Sequence, residues 1–211
     1  MPTVLLATTN AHKAREIGAI LTRYGIEVSV PSHLEAVEET GATFVENARL
    51  KAVAAARSAR RPALADDSGI SVEALGGEPG VRSARYAGEN ATDGDNNAKL
   101  LAAITSKGLV DPKAAFICCA VLAGADGRIL AESIGRVEGV LRGPPRGSNG
   151  FGYDPLFHYT DREHPAPGVR FAELSAADKD LISHRGRAFR SMAAKILALL
   201  ARDPKAFEPI G

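Results

Sequence analysis

The sequence has no tryptophan, two cysteines, few aromatic residues (5%) and no excess of either charge. Each shortage excludes something. Cys118 and Cys119 are adjacent inside an apolar run, which suits two buried thiols in a reducing compartment and neither a disulfide framework nor a zinc site. A formal net charge of +1 provides no overall field for nucleic acid or an anionic membrane surface. No apolar stretch approaches the roughly 20 residues of a membrane span. The opening Met1-Pro2-Thr3-Val4-Leu5-Leu6-Ala7 lacks a basic n-region, and its apolar run is short for a signal peptide. These absences predict a cytoplasmic protein with no nucleic-acid and no membrane partner. With aromatics this scarce, one placed in a polar loop needs a reason.

What is present fits a globular α/β chain. The 211 residues, 45% hydrophobic and 24% charged, suffice for one sizeable core, whether or not it is split into two lobes. "TVLLATT" (3–9) reads as a buried strand. Asn10 then caps a helix with Ile17, Ile20, Leu21 and Tyr24 on one face, and Gly25 sits at its end. "IEVSV" (26–30) completes a β-α-β unit. Thr43 and Glu46 form a capping box for a helix to about Arg60, and Thr92 and Asp95 pair likewise for a helix over 92–107. The strand "ALADD" lies between them, and the Gly-rich stretch 69–91 reads as loop. "AAFICCAVLA" and "ILAESIGRVEG" flank Asp126-Gly127, a hairpin signal. "RGPPRGSNGFGYDP" (142–155) is a long loop, and 175–201 is helical with Phe189, Met192, Ala193, Ile196 and Leu200 on its apolar face. The expected fold is a mixed α/β sheet with flanking helices.

Five stretches could carry chemistry. "TTNAHK" (8–13) brings Thr8, Thr9 and Asn10 into a helix start at Ala11 and His12, where backbone donors and the dipole favour an anion and Lys13 adds a full charge. An ordinary Asn cap with a solvated lysine accounts for the same residues. Asp66 and Asp67 are adjacent carboxylates that point to opposite faces of a strand unless the chain turns, a turn Gly69 would permit. A hard cation such as Mg²⁺ would relieve their repulsion, and so would an Asx-turn at Asp67 or Ser68. Glu38 and Glu39 offer further acids, whereas Glu46 is already used by its capping box.

"GSNGFGYDP" (147–155) sets Phe151 and Tyr153 among glycines, flat faces on which a base could stack, with Gly152 between them. Pro155 restricts Asp154 to extended backbone. On one continuous helix Lys179 and His184 would lie about 140° apart. A helix break near Ser183 is therefore expected if they serve one site, with His184 and Arg185 at a fresh helix start.

Taken together, "ATTNAHKAREI", "EETGATFVENARLKA", "ADDSGISVEALGGEPGVRSARYAG", "GSNGFGYDPLF" and "AELSAADKDLISHRGRA" resemble the inosine/xanthosine triphosphate pyrophosphatase family in order over nearly the whole chain. The resemblance implies an elongated α/β fold with a central mixed sheet, one domain over residues 1–211 whose two lobes flank a nucleotide cleft, and a homodimer. It implies Mg²⁺-dependent hydrolysis of ITP, dITP and XTP to the monophosphate and pyrophosphate. It assigns Thr8, Asn10 and Lys13, with the intervening helix start, to the triphosphate, and Asp67 to the metal and to water activation with Asp66 as a helper. Ser68 would lie beside the substrate, and Glu39 would be a further metal ligand. Phe151, Gly152, Tyr153 and Asp154 match the base-binding loop, Lys179 a phosphate- or base-facing lysine, and His184 with Arg185 the readers of the purine 6-keto group. Thr9 departs from the glycine or small polar residue of many members, which predicts extended backbone there. A nucleotide sensor without the chemistry, or a pyrophosphatase for other modified bases, would use the same pocket.

Overall fold

The computed structural model describes residues 2–31, 33, 37–160 and 168–207. It places strand β1 (Thr3–Leu6) before helix α1 (Ala11–Thr22) and strand β2 (Glu27–Ser29). Helix α2 (Phe44–Ala59), strand β3 (Ala63–Val72) and helix α3 (Asp93–Ser106) follow. Strands β4 (Lys113–Ala123), β5 (Ile129–Leu141) and β6 (Phe157–Tyr159) precede helices α4 (Ala176–Ile182) and α5 (His184–Arg202). Among the described residues no helix is long and apolar enough to cross a membrane.

The helix starts follow their sequence signals. Asn10 Oδ1 caps α1, and Thr43 with Glu46 and Thr92 with Asp95 close reciprocal capping boxes on α2 and α3. The six strands form one sheet in the order β2-β1-β3-β4-β5-β6. β1 pairs parallel with β2 and with β3 (Leu5 opposite Ala63), as a β-α-β connection requires, and β5 pairs antiparallel with β6. The sheet is therefore mixed, with the hairpin turn at Asp126-Gly127 closed by Gly124 N–H on the Arg128 carbonyl (2.8 Å).

The chain divides into two compact units. The first comprises 1–67, 118–135 and 185–211, the second 68–117 and 136–184. The core of the first packs Ile17, Ile20 and Leu21 of α1 and Phe189, Met192 and Ile196 of α5 with Leu64, Cys118 and Leu122. The core of the second gathers Ile70, Val72, Leu100, Phe116, Val137, Phe157 and Phe171. Both cysteines are buried free thiols.

Three expectations need correction. β1 ends at Leu6, so Thr8 and Thr9 leave the sheet before the helix begins. β3 does not stop at the acids: it runs through Ser68 and Gly69 to Val72, and 3₁₀ turns follow at Glu73–Leu75 and Gly80–Arg85. Gly69 makes no turn. It is glycine because a Cβ there would collide with the Ser83 side chain and the Gly80 carbonyl. Ser83 Oγ itself accepts from Ile70 N–H (2.9 Å) and donates to the Gly80 carbonyl (2.6 Å), so the strand and the turn are tied where no side chain intervenes. Finally, α1 ends at Thr22, so Tyr24, 38% exposed, lies beyond the helix and not on its apolar face.

The helical tail breaks as its geometry demanded. Ser183 has φ −66° and ψ 157°, which ends α4, and α5 starts afresh at His184.

Candidate active site

In the first unit two charge clusters flank β3, because successive strand side chains face opposite ways. On one face, Asp66 is buried and accepts from Lys13 Nζ (2.9 Å), with an Arg185 guanidinium nitrogen at 3.8 Å. Arg185 also donates to Glu16 (2.6 Å), and the Cys118 thiol lies 3.8 Å from the Asp66 carboxylate. Burial opposes ionisation of Asp66, yet Lys13, Arg185 and Lys51 outweigh it and hold the carboxyl well below the usual range. Burial likewise opposes the charge on Arg185, but Asp66 and Glu16 hold its pKa above the ordinary value. Within this cluster Asp66 orders one lysine and one arginine. Its carboxylate is directed away from Asp67, so the two acids do not converge.

On the other face, Asp67 Oδ1 lies 3.2 Å from Lys51 Nζ, which is also 3.0 Å from Glu39 Oε1. Asn47 Nδ2 donates to Asp67 Oδ2 (3.3 Å), while its Oδ1 accepts the Gly41 amide (2.8 Å) and so fastens the acid-bearing loop to α2. Burial raises the Asp67 pKa despite Lys51 and Lys13, and Lys51 keeps its charge because Asp67, Asp66 and Glu39 outweigh its own burial. Glu39 and Asp67 thus converge on one cationic point. Lys51, Asn47 and Glu16 are neighbours of these clusters that sequence reasoning missed. Phe44, Asn47, Ala48, Lys51, Ala52 and Ala55 share one helix face, so an amide and an ammonium in an otherwise apolar stripe were the available signal for the first two.

At the start of α1, Thr8 Oγ1 accepts the Asn10 amide (3.2 Å), and Asn10 Oδ1 accepts those of His12 (2.9 Å) and Lys13 (3.1 Å). Thr8, Thr9, Asn10, Ala11, Ala14, Val30 and Pro31 line a cavity of about 460 Å³. Thr9 does not have positive φ: among the described non-glycine residues only Arg60 and Asp111 do.

In the second unit the loop at 149–154 is held at nearly every residue. Asp154 Oδ2 accepts Phe151 N–H (2.9 Å) and Lys179 Nζ (2.6 Å), and Lys179 Nζ lies 4.9 Å from the Phe151 ring centroid. Gly150 has φ +75°, and any Cβ there would meet the Asp154 carboxylate. Tyr153 is 4% exposed and donates its hydroxyl to the Ser83 carbonyl (2.8 Å), so its ring belongs to the core rather than to an open face. Phe151 keeps the partly exposed ring. His184 stacks on Phe116, with centroids 4.7 Å apart and planes 8° from parallel. Ser68 is partly buried on β3.

Comparison with known proteins supplies a context for both clusters. The model of the Ham1 family matches residues 4–195. The dITP/XTP pyrophosphatase of Syntrophobacter fumaroxidans is 50% identical over 188 residues, covering 88% of this chain and 78% of that protein. The dITP/XTP pyrophosphatase of Geobacillus kaustophilus is 44% identical, covering 91% and 93%. A HAM1 protein from Coxiella burnetii superposes with a TM-score of 0.83 at 38% identity, over 94% of this chain and 100% of that one. By family match, by sequence and by fold, the chain belongs to the Ham1 family.

Proposed function

We propose that this protein is a nucleoside-triphosphate pyrophosphatase that hydrolyses deaminated purine (deoxy)nucleoside triphosphates (ITP, dITP and XTP) to the monophosphate and pyrophosphate. The observation that carries the chemistry is the convergence of Glu39 and Asp67 on a single cationic point. The relatives named dITP/XTP pyrophosphatase support the substrate class.

The donor set fits Mg²⁺. Two hard carboxylates face the same Lys51 ammonium, and no group of three or more His, Cys, Asp or Glu that could hold a metal occurs among the described residues. Mg²⁺ is commonly held by one or two carboxylates, with water and substrate phosphate completing its shell. Asp67 and Glu39 would hold it, and the bound ion would neutralise charge on the phosphate oxygens and the leaving pyrophosphate.

In the first unit the start of α1, Lys13 and Lys51 are assigned to the triphosphate. Lys13 and Lys51, each paired with a carboxylate, are the cations assigned to the phosphate oxygens. Asp67 would orient or deprotonate the water that attacks the α-phosphorus in line with the departing pyrophosphate. Asp66 does not touch that water; it holds Lys13 and Arg185 in place. The residues of the second unit are assigned to the base, with Phe151 as stacking face and Lys179 beside it. His184 and Arg185 are assigned as donors to O6, a pairing that adenine, which presents an amino donor there, cannot make.

A homodimer in the cytoplasm, with residues 1–211 as one domain, completes the reading. The test is a panel of (d)NTPs with Mg²⁺, assayed separately for pyrophosphate and phosphate. Pyrophosphate from ITP, dITP and XTP in preference to ATP and GTP is expected. Release of free phosphate, or no preference for the deaminated bases, overturns the reading.

A further inference from the structure

Helix α3 has no part in the function proposed above, yet two of its side chains reach the same loop residue. Asp93 Oδ2 accepts Gly152 N–H at 2.6 Å, and Asn97 Nδ2 donates to the Gly152 carbonyl at 3.0 Å. The two positions are one turn apart on one helix face. Gly152 has φ +62° and no side chain, so the peptides on either side of it are its only handles. The first carries the N–H that Asp93 holds and joins Gly152 to Phe151. The second carries the carbonyl that Asn97 holds. Fixing both planes fixes the direction in which the Phe151 ring leaves the loop.

Asn97 makes this contact at a cost. It is 7% exposed, and its Oδ1 has no hydrogen-bond partner among the described residues. A buried orphan acceptor is unfavourable. Turning the amide over would set oxygen against the Gly152 carbonyl, so the residue is retained for its donor. The neighbouring Asn96 spends both ends of its amide on the chain, at the Ala87 N–H (2.8 Å) and the Ala84 carbonyl (3.1 Å).

We propose that Asp93 and Asn97 are positioning residues for base recognition. They clamp Gly152 so that Phe151, with Lys179 against its ring, presents a fixed face to a planar purine. This rests on the reading that the base is held at Phe151. It separates base recognition from triphosphate binding within one enzyme.

Two measurements test it. In steady-state kinetics, Asn97→Ala and Asp93→Ala should each raise KM for ITP about tenfold, the worth of one hydrogen bond, with kcat changed less than about twofold. Asp93→Asn, which keeps an acceptor oxygen, should restore the KM. Inorganic tripolyphosphate, which has no base, should inhibit wild type and variants with the same inhibition constant. An unchanged KM, or a KM and an inhibition constant that rise together, overturns the clamp.

The second measurement needs no turnover. The chain contains no tryptophan, so Phe151→Trp places a single reporter on the loop. Its fluorescence anisotropy should fall when Asn97→Ala is added, while the far-UV spectrum is unchanged. Equal anisotropy with and without Asn97 sinks the proposal, whereas failure of wild type to hydrolyse ITP strikes only the substrate reading.

Discussion

Asp67 in the first unit and Asp154 in the second are both buried carboxylates with a lysine partner, yet they are built for different work. Asp154 is 2% exposed, and its lysine, Lys179, lies 2.6 Å away and is itself buried. Its second bond holds the Phe151 amide in its own loop. Asp67 meets Lys51 at 3.2 Å, and that lysine is shared with Glu39 and has 18% of its side chain exposed. The tight, buried pair is a clasp. The looser, shared one can exchange partners, which is what a site for a cation and phosphate needs.

Disrupting each pair in turn should separate the two roles. Asp67→Asn keeps the shape and removes the proton acceptor, so kcat for ITP should fall by about 10²–10⁴-fold, while ITP binding persists and the melting temperature hardly moves. Pyrophosphate release and calorimetric titration check this; near-wild-type turnover would remove Asp67 from the chemistry. Asp154→Ala should act the other way, on the fold. It takes the carboxylate from the buried Lys179 ammonium, and removing one partner of such a pair costs about 3–5 kcal/mol, measurable by urea unfolding. A loss as small as that of an exposed ion pair would mean that Asp154 is no clasp.

Lys51→Met sharpens the comparison further. It removes the ammonium that bridges Glu39 and Asp67, so turnover should drop about tenfold or more for loss of a charged hydrogen bond to phosphate. The Mg²⁺ concentration for half-maximal activity should fall at the same time, because the two acids lose a competing cation. An increase in that concentration would count against the shared-site view.

The smallest effect concerns the second unit alone. His158 Nε2 accepts from Arg170 Nε (2.5 Å) while Nδ1 meets the Gly168 carbonyl (3.1 Å), an arrangement that needs the neutral ring with its proton on Nδ1. Burial first, and then the Arg170 and Arg142 charges, lower its pKa. The unfolded chain therefore binds this proton more readily than the folded one. The associated stability is complete above about pH 6.5, the unfolded value, and is lost as pH falls towards the lowered folded value. Thermal melts between pH 7.5 and 5.5 should show a decline that His158→Gln reduces. An identical decline in both proteins would show that the ring does not titrate in this window.

Much of this was legible from the chain because it depends on local rules. Asn10, Thr43 and Thr92 announced their helices through short-range capping, and the 3.6-residue period exposed the conflict that Ser183 resolves. Strand alternation already separated Asp66 from Asp67. What stayed hidden came from contacts distant in sequence. Nothing near Gly69 reveals that Ser83 packs over it, so a close approach read as a turn. Tyr153 looked like an open face because its loop is polar, whereas its hydroxyl is buried on Ser83. Glu16 acquires its meaning only from an arginine 169 residues away.

The break at Ser183 has a consequence for how the chain tolerates change. α4 has only seven residues, and Lys179 stands in it as a pointer fixed by helical phase. Shifting that phase by one residue would swing Lys179 about 100° from Asp154. A continuous helix would pass the rotation on to whatever follows. The extended Ser183 is a joint that does not transmit it, so the stacking of His184 on Phe116 can survive changes upstream. Lys179 and His184 can therefore be altered by mutation one at a time.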